Sequence, residues 1–248
     1  MSSLSRALAL LGLFSADHPD WPIDDMIDAL GYTRATGYRY VKELVEAGFL
    51  QKVSAGHYAL GARIIELDYQ LRASDPVLRA AVPVMEALVR RSRLDAVLTT
   101  MVGQQVIDTH RVSGDAALEL AYGRGRPRPM LRGSAAKVLV AWLPRAALLR
   151  LYAQHAEDIA RWGLGSDWTD FRARLTQIRQ AGFCVAYGEL EADRGSAAVP
   201  LLDAEGHIRC ALSLVGTPER LRQAGEPRLK AWLSRAAAQV AERLNTTR

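Results

Sequence analysis

Residues 31–52 read GYTRATGYRYVKELVEAGFLQK, and the reading of the whole chain turns on this stretch. Gly31 and Tyr32 make a turn, Thr33 can cap a helix with its hydroxyl, and Gly48 stands where that helix would stop. On a helical wheel Val41, Leu44 and Val45 fall on one side, with Gly37 one turn before Val41. Arg34, Tyr38 and Lys42 form an i, i+4, i+8 row on the other side, flanked by Ala35, Thr36 and Arg39. Glu43 and Glu46 come later, so the front of the helix is basic and hydrogen-bonding while its back is acidic. A helix in the DNA major groove presents its N-terminal turns to the base edges. Arginine suits guanine, threonine bonds a base or meets the thymine methyl, and lysine suits phosphate. A solvated face on a generic three-helix domain has the same pattern. Gly37 costs about 1 kcal/mol relative to Ala in a helix interior. Its inner position predicts close approach of the preceding helix rather than contact with DNA.

The flanking sequence supports a DNA-reading arrangement. Leu4, Ala7, Leu8, Leu11 and Phe14 have the spacing of a helix with one buried face. After a break at HPDWP, residues 23–30 predict a second short helix, capped by Asp24 and buried on Met26, Ile27 and Leu30. After the helix of residues 33–48, FLQKV and HYAL read as two strands joined by Ser54-Ala55-Gly56. Three helices and a two-stranded wing make a winged helix-turn-helix over residues 1–60. Lys52 and His57 fall on the wing, placed for phosphate or minor-groove contact; His57 reads equally well as an exposed loop histidine.

Charge is informative only locally. The chain of 248 residues carries a formal net charge of +5. Through residue 60, however, five basic residues face seven acids, leaving that part at net −2. The acids cluster at 17–28, while Arg34, Arg39 and Lys42 crowd one short segment. Hydrophobic residues at 49% and charged residues at 24% describe a globular chain. No apolar run approaches the roughly 18 residues of a membrane span, and the N-terminal MSSLSRALALLGLF reads as an amphipathic helix rather than a secretory signal. Two distant cysteines, Cys184 and Cys210, offer neither a redox pair nor a cysteine-based zinc site. A cytoplasmic protein with no metal and no cofactor is the expectation.

Downstream, residues 61–73 predict a connecting helix with Ile64, Ile65, Leu67 and Leu71 along one side. Its apolar side is a candidate dimer interface, or packs within its own chain. Asp75-Pro76 restarts a helix with proline in the first turn. AVLTTMV and QVIDTHRV read as strands, with LELAY a third candidate. Helices follow at 134–142, from 145 to about 155, and over TDFRARLTQIRQAG. FCVAYGELE, AAVPLL and HIRCALSLV are strands, and an amphipathic helix at about 227–244 closes the chain. Strands and helices mixed without a βαβ period predict an α+β domain, 76–248, whose mixed or antiparallel sheet is flanked by helices, joined to 1–60 through a linker helix at 61–75.

With these segments in order, the chain resembles the IclR (isocitrate lyase regulator) family of bacterial transcription regulators over nearly its whole length. LSRALALLGLF, IDDMIDALGYTRATGYRYVKELVEAGFLQK and GHYALGARIIEL carry the resemblance in the first part. RPMLRGSAAKVLVAWLP and AGFCVAYGELEADRGSAAVPLLDAEGHIRCALSLVG carry it in the second. It implies a winged helix-turn-helix, a helical linker and a GAF-like effector domain, acting as a homodimer or a dimer of dimers on a palindromic double-stranded DNA operator. Family members usually show Pro-Leu-His-Ala-Thr-Ala-x-Gly-Lys where this chain has Pro129 to Lys137, with Leu131 for the histidine, Arg132 for a small residue and Ala136 for the glycine. Asp193, Ser196 and Gly37 also depart from the usual residues.

The resemblance places an effector against the sheet near the helix that holds Lys137. Gly133, Ser134 and Ala135 would open that helix, whose free N–H groups and dipole favour a carboxylate. Arg132 beside them can add a charge-assisted contact. Ser196 and Ser213 match effector-contacting positions of the family. On the final strand Arg209, Ala211, Ser213 and Val215 share a mixed face suited to a pocket wall, while Ile208, Cys210, Leu212 and Leu214 share an apolar one. Val215 and Ala186, at positions that can be polar, point to a less polar ligand than a two-carbon acid, hence a small organic acid, with aromatic acids among the candidates. Alternatively Arg132 pairs with Asp193 or Glu189 and the serines are packing groups. Arg194 reads as a loop surface residue. Glu189, Glu191 and Asp193 alternate on one face of an exposed strand end, with no nucleophile elbow, metal motif or phosphate loop nearby, so no catalytic residue is expected. A winged-helix protein-interaction module that does not bind DNA is the stronger rival.

Overall fold

The computed structural model of the protein describes residues 2–114 and 123–246. The chain divides into two compact units, separating between Asp75 and Pro76. LELAY, residues 118–122, lies outside the described residues.

The first unit opens with α1 (Ser3–Ala9), which tightens into a 3-10 turn over Leu10–Leu13. The predicted break at HPDWP is instead structured. Asp20–Pro22 forms an edge strand, β1, antiparallel to β3 (His57–Leu60), with Trp21 opposite Tyr58. β2 (Leu50–Ser54) flanks β3 on its other side, so the wing has three strands, in the order β1-β3-β2. Three residues are too few to show a period, and proline is tolerated at an edge because its missing N–H faces no partner. Trp21 ties the strand down by donating its indole N–H to the Leu13 carbonyl at 3.1 Å. α2 (Ile23–Ala29) begins one residue before the expected Asp24 cap. Pro22 occupies the N-cap position, and Asp24 and Asp25 fall in the first turn, where the helix dipole favours acids.

Thr33 caps α3 (Arg34–Glu46) as its sequence predicts, accepting the N–H of Thr36 at 3.4 Å. Val41 and Leu44 are buried, joined by Tyr40, which the wheel did not single out. Tyr40 packs edge-on against Tyr32 at 5.9 Å. Gly37 is where α2 and α3 touch: a Cβ there would sit 2.7 Å from Ile27 Cδ1 and nearer still to its Cγ1. Close approach, rather than contact with a ligand, is therefore the role the backbone gives it. α4 (Arg63–Ser74) carries no buried residue: Ile64 and Leu67 are half-buried, while Ile65 and Leu71 are exposed.

In the second unit α5 (Pro76–Ser92) precedes β4 (Asp95–Val102), β5 (Gln105–Val112) and the short β6 (Pro127–Arg128). Then come α6 (Ser134–Ala141), α7 (Arg145–Arg161), α8 (Trp168–Ala181) and β7 (Cys184–Tyr187). β8 (Gly195–Leu202), β9 (Ile208–Gly216), α9 (Pro218–Ala224) and α10 (Glu226–Thr246) complete it. The six strands form an antiparallel sheet in the order β6-β5-β4-β9-β8-β7. Side chains alternate across it. Leu212 and Leu214 of β9 face a core built with α5 and α10, whereas Ala211 packs with α6 on the opposite face.

Three expectations change here. α7 continues past the predicted end near residue 155 to Arg161, after a break in helical geometry at His155 (φ −134°). α9 was not foreseen. β7 stops at Tyr187 instead of running to Glu191: Gly188 donates its N–H to the Arg194 carbonyl at 2.7 Å and closes a compact loop. Glu189 and Glu191 therefore do not share a strand face. Among the described residues no helix is long and apolar enough to cross a membrane.

Candidate functional site

Two surfaces carry the chemistry, one in each unit. On α3 the side chains of Arg34, Tyr38, Arg39 and Lys42 are all exposed. Each sits near an acid. Arg34 lies 3.8 Å from Asp24, Arg39 4.0 Å from Glu43 and Lys42 3.7 Å from Glu46. The Tyr38 hydroxyl is 3.5 Å from Asp24, which thus meets two of the predicted base readers. Exposed pairs of this kind are worth under about 1 kcal/mol, so they hold the side chains in place without withholding them from a polyanion. Thr36 is half-buried, its hydroxyl accepting from Thr33 at 2.9 Å. Lys52 stands exposed on β2. His57 is not a free loop histidine: it opens β3, with Nδ1 2.8 Å from the Asp20 carboxylate across the sheet.

In the second unit a cavity lies on the α6 side of the sheet. It is lined among others by Val97, Ala135, Ala186, Leu190 and Val215. Gly133, Ser196 and Ser213 also line it. Ser134 stands behind Ser196, fully buried, with the two hydroxyls 2.8 Å apart. Ser213 donates to the Val97 carbonyl at 3.3 Å. Four of the six predicted effector residues thus reach the cavity and a fifth braces one of them.

Arg132 does not line it. Its Nε donates to the Glu189 carbonyl oxygen at 2.5 Å, and its guanidinium lies over the Trp162 ring, 4.2 Å from the centroid. The start of α6 is also not open as expected. Glu189 accepts the Gly133 N–H at 2.8 Å, Ser196 accepts the Ser134 N–H at 3.3 Å, and Lys137 bonds the other oxygen of Glu189 at 2.5 Å. Gly133, at φ +83°, has no side chain to cap the helix, and a carboxylate from a distant loop does so. Arg194 is no surface residue: it lines the cavity, largely buried, and bonds Asp193 at 2.5 Å.

The sequence reading missed the charged pair at the cavity wall. Arg128 lines the cavity and donates Nη1 to both oxygens of Asp108, at 2.7 and 2.9 Å. Asp108 also accepts the buried Thr99 hydroxyl at 2.7 Å. The one sequence signal was a carboxylate inside the apolar strand QVIDTHRV, where an acid must find a partner. The two lining serines hydrogen-bond within the wall, Ser196 with Ser134 and Ser213 with the Val97 carbonyl. An apolar lining with a few convergent polar groups has the make-up of a binding site.

The profile of the IclR helix-turn-helix domain matches residues 3–54, and that of the bacterial transcriptional regulator IclR C-terminal domain matches residues 71–242. The chain belongs to the IclR family of bacterial transcriptional regulators. Its relatives include the HTH-type transcriptional regulator KipR of Bacillus subtilis, 27% identical over 98% of this chain and 96% of that one. The Pca regulon regulatory protein of Pseudomonas putida is 26% identical over 86% of this chain and 74% of its own length. Among solved structures, an IclR homolog from Microbacterium hydrocarbonoxydans complexed with 4-hydroxybenzoate superposes with a TM-score of 0.80 at 26% identity, covering 99% of this chain and 100% of that one. An IclR transcriptional regulator from a Silicibacter species, at 23% identity, reaches 0.82 over 98% and 96% of the two chains. As an IclR protein the chain is a DNA-binding transcriptional regulator and not an enzyme, and its second unit is the family's effector domain.

Proposed function

We propose that this chain is a cytoplasmic regulator that binds a palindromic operator as a dimer or dimer of dimers and answers to a small aromatic acid. Residues 1–60 read DNA, 61–75 link, and 76–248 bind the effector. Arg34, Thr36, Tyr38 and Arg39 address bases at the front of α3, with Lys42 and Lys52 on phosphates and His57 steadying the wing. One winged helix covers a short half-site, so specific affinity requires a two-fold partner with half-sites about one DNA turn, ~34 Å, apart. The observation that carries the effector reading is the cavity: apolar walls from Val97, Ala135, Ala186, Leu190 and Val215, with a buried arginine at one side. A flat apolar body ending in a carboxylate suits such a lining. The relative complexed with 4-hydroxybenzoate supports the same class.

Selection of bound DNA from a random pool, with and without aromatic acids, tests both halves. A palindromic motif whose recovery changes with an acid is expected. Recovery of no motif would favour the protein-interaction rival, and a motif indifferent to every acid would remove the effector class.

A further inference from the structure

The helix end expected to hold the ligand's carboxylate is already filled by Glu189, and Arg132 is drawn away over Trp162. An acid in this cavity therefore needs another anchor. We infer that Arg128 is that anchor, gripping the ligand's carboxylate through the Nε–Nη2 edge of its guanidinium while Asp108 holds the Nη1 corner. The assignment rests on the reading of this cavity as an acid-binding effector site.

Three observations support it. Arg128 is buried, its side chain 6% exposed, and it lines the cavity. Nη1 is spoken for by the two Asp108 oxygens, but Nε is buried without a hydrogen-bond partner. A native structure rarely leaves such a donor unsatisfied, and a bound ligand is one of the few explanations. Nη2 faces the glycine at the start of α6, 3.5 Å from where a Cβ on Gly133 would stand. Nε–H and Nη2–H point the same way along one edge of a guanidinium, the geometry that matches a carboxylate with two parallel hydrogen bonds. Thr99 and Asp108, on neighbouring strands, fix the other edge and so orient the open one before any ligand arrives.

Charge decides what such a site accepts. The lining carries Asp108, Glu189 and Glu191 against Arg128 and Arg194, with Lys137 behind Glu189 bringing acids and bases level. A neutral cavity has no general attraction for anions. Selectivity for an acid must then come from a donor edge placed for it, and the Arg128 edge is buried and lacks a partner at Nε.

Calorimetry on the full chain tests this, using benzoate, 4-hydroxybenzoate, 3,4-dihydroxybenzoate and cinnamate, each beside its neutral carboxamide. The wild type is expected to prefer at least one acid over its amide by tenfold or more. Arg128→Lys keeps the charge but loses the fork, and should weaken that acid at least tenfold while leaving the amide unchanged. If Arg128→Lys melts below the assay temperature, the double variant Arg128→Gln/Asp108→Asn removes both charges together and should show the same loss. Unchanged acid affinity in a folded variant, or equal wild-type affinity for acid and amide, overturns the Arg128 assignment and leaves the cavity reading standing. Failure of the wild type to bind any of the eight compounds overturns both.

Discussion

Lys137 Nζ lies 2.5 Å from one oxygen of Glu189, and the other oxygen of that carboxylate accepts the Gly133 N–H at 2.8 Å. One side chain thus neutralises a buried ammonium and caps a helix whose own N-cap is a glycine. Breaking a buried pair by removing one partner costs about 3–5 kcal/mol, less where solvent still reaches it, as it partly does here. Glu189→Gln, which keeps an acceptor for Gly133 but leaves Lys137 unpaired, should destabilise the second unit by about 2 kcal/mol. Urea unfolding followed by circular dichroism reads this as a lower midpoint at unchanged slope.

Gly37→Ala sets helix propensity against packing. The substitution gains about 1 kcal/mol in an isolated helix, but its methyl would overlap Ile27, which is buried, and overpacking costs roughly 1–3 kcal/mol. Packing wins, with an expected net loss of about 1 kcal/mol in the first unit. Ile27→Ala, which deletes both Cγ1 and Cδ1, should cost less stability in the Gly37→Ala background than in the wild type, as thermal melts of the four variants would show. A Gly37→Ala variant more stable than wild type would show that α2 shifts aside freely.

Operator affinity should fall steeply with salt, and Lys42→Ala should reduce the slope of log K against log salt by about one, the signature of one lost phosphate contact. Asp24→Asn should act in the opposite direction. It removes the carboxylate beside both Arg34 and Tyr38, freeing the arginine and lessening repulsion of phosphate. Fluorescence anisotropy should report severalfold tighter binding to operator DNA at low salt, shrinking as salt rises.

Cys184 borders the Lys137–Glu189 pair, and its thiol is pushed up to about 11. Burial is the main cause, opposed by Lys137 and reinforced by Glu189 and Glu226. A raised thiol favours the folded state while it stays protonated. That contribution is complete below the unfolded value near 9.0 and is lost as pH rises through about 11. At pH 8 the thiolate fraction is lowered about a hundredfold, so iodoacetamide should label Cys184 of a Cys210→Ala variant about that much more slowly when folded than in urea. Mass spectrometry of timed samples reads the two rates directly.

The recognition helix and its cap were legible in the sequence because they are local. Thr33 bonds three residues on, the exposed row of Arg34, Tyr38 and Lys42 repeats every turn, and Gly37 announced a close contact by its cost. The strands of the second unit followed from period-two alternation, including the split of β9 into a cavity face with Ser213 and a core face with Leu212. β1 escaped notice because three residues, one of them proline, have no period, and only Tyr58 across the sheet makes them a strand.

The binding cavity divides the same way. The sequence alone determined the family, the order of elements and the backbone segments that wall the cavity, since these depend on neighbours along the chain. It could not assign the charges. Glu189 comes 56 residues after Gly133 and still caps α6; Arg128 comes 20 residues after Asp108 and still seals its corner. Arg132, the arginine adjacent in sequence to the helix start, is taken instead by Trp162. A buried charge must find a partner wherever the fold brings one, because leaving it unpaired costs more than any local preference contributes. Pairing of ions is thus settled only when distant strands and loops meet, and it was the tertiary structure that moved the candidate carboxylate anchor from Arg132 to Arg128.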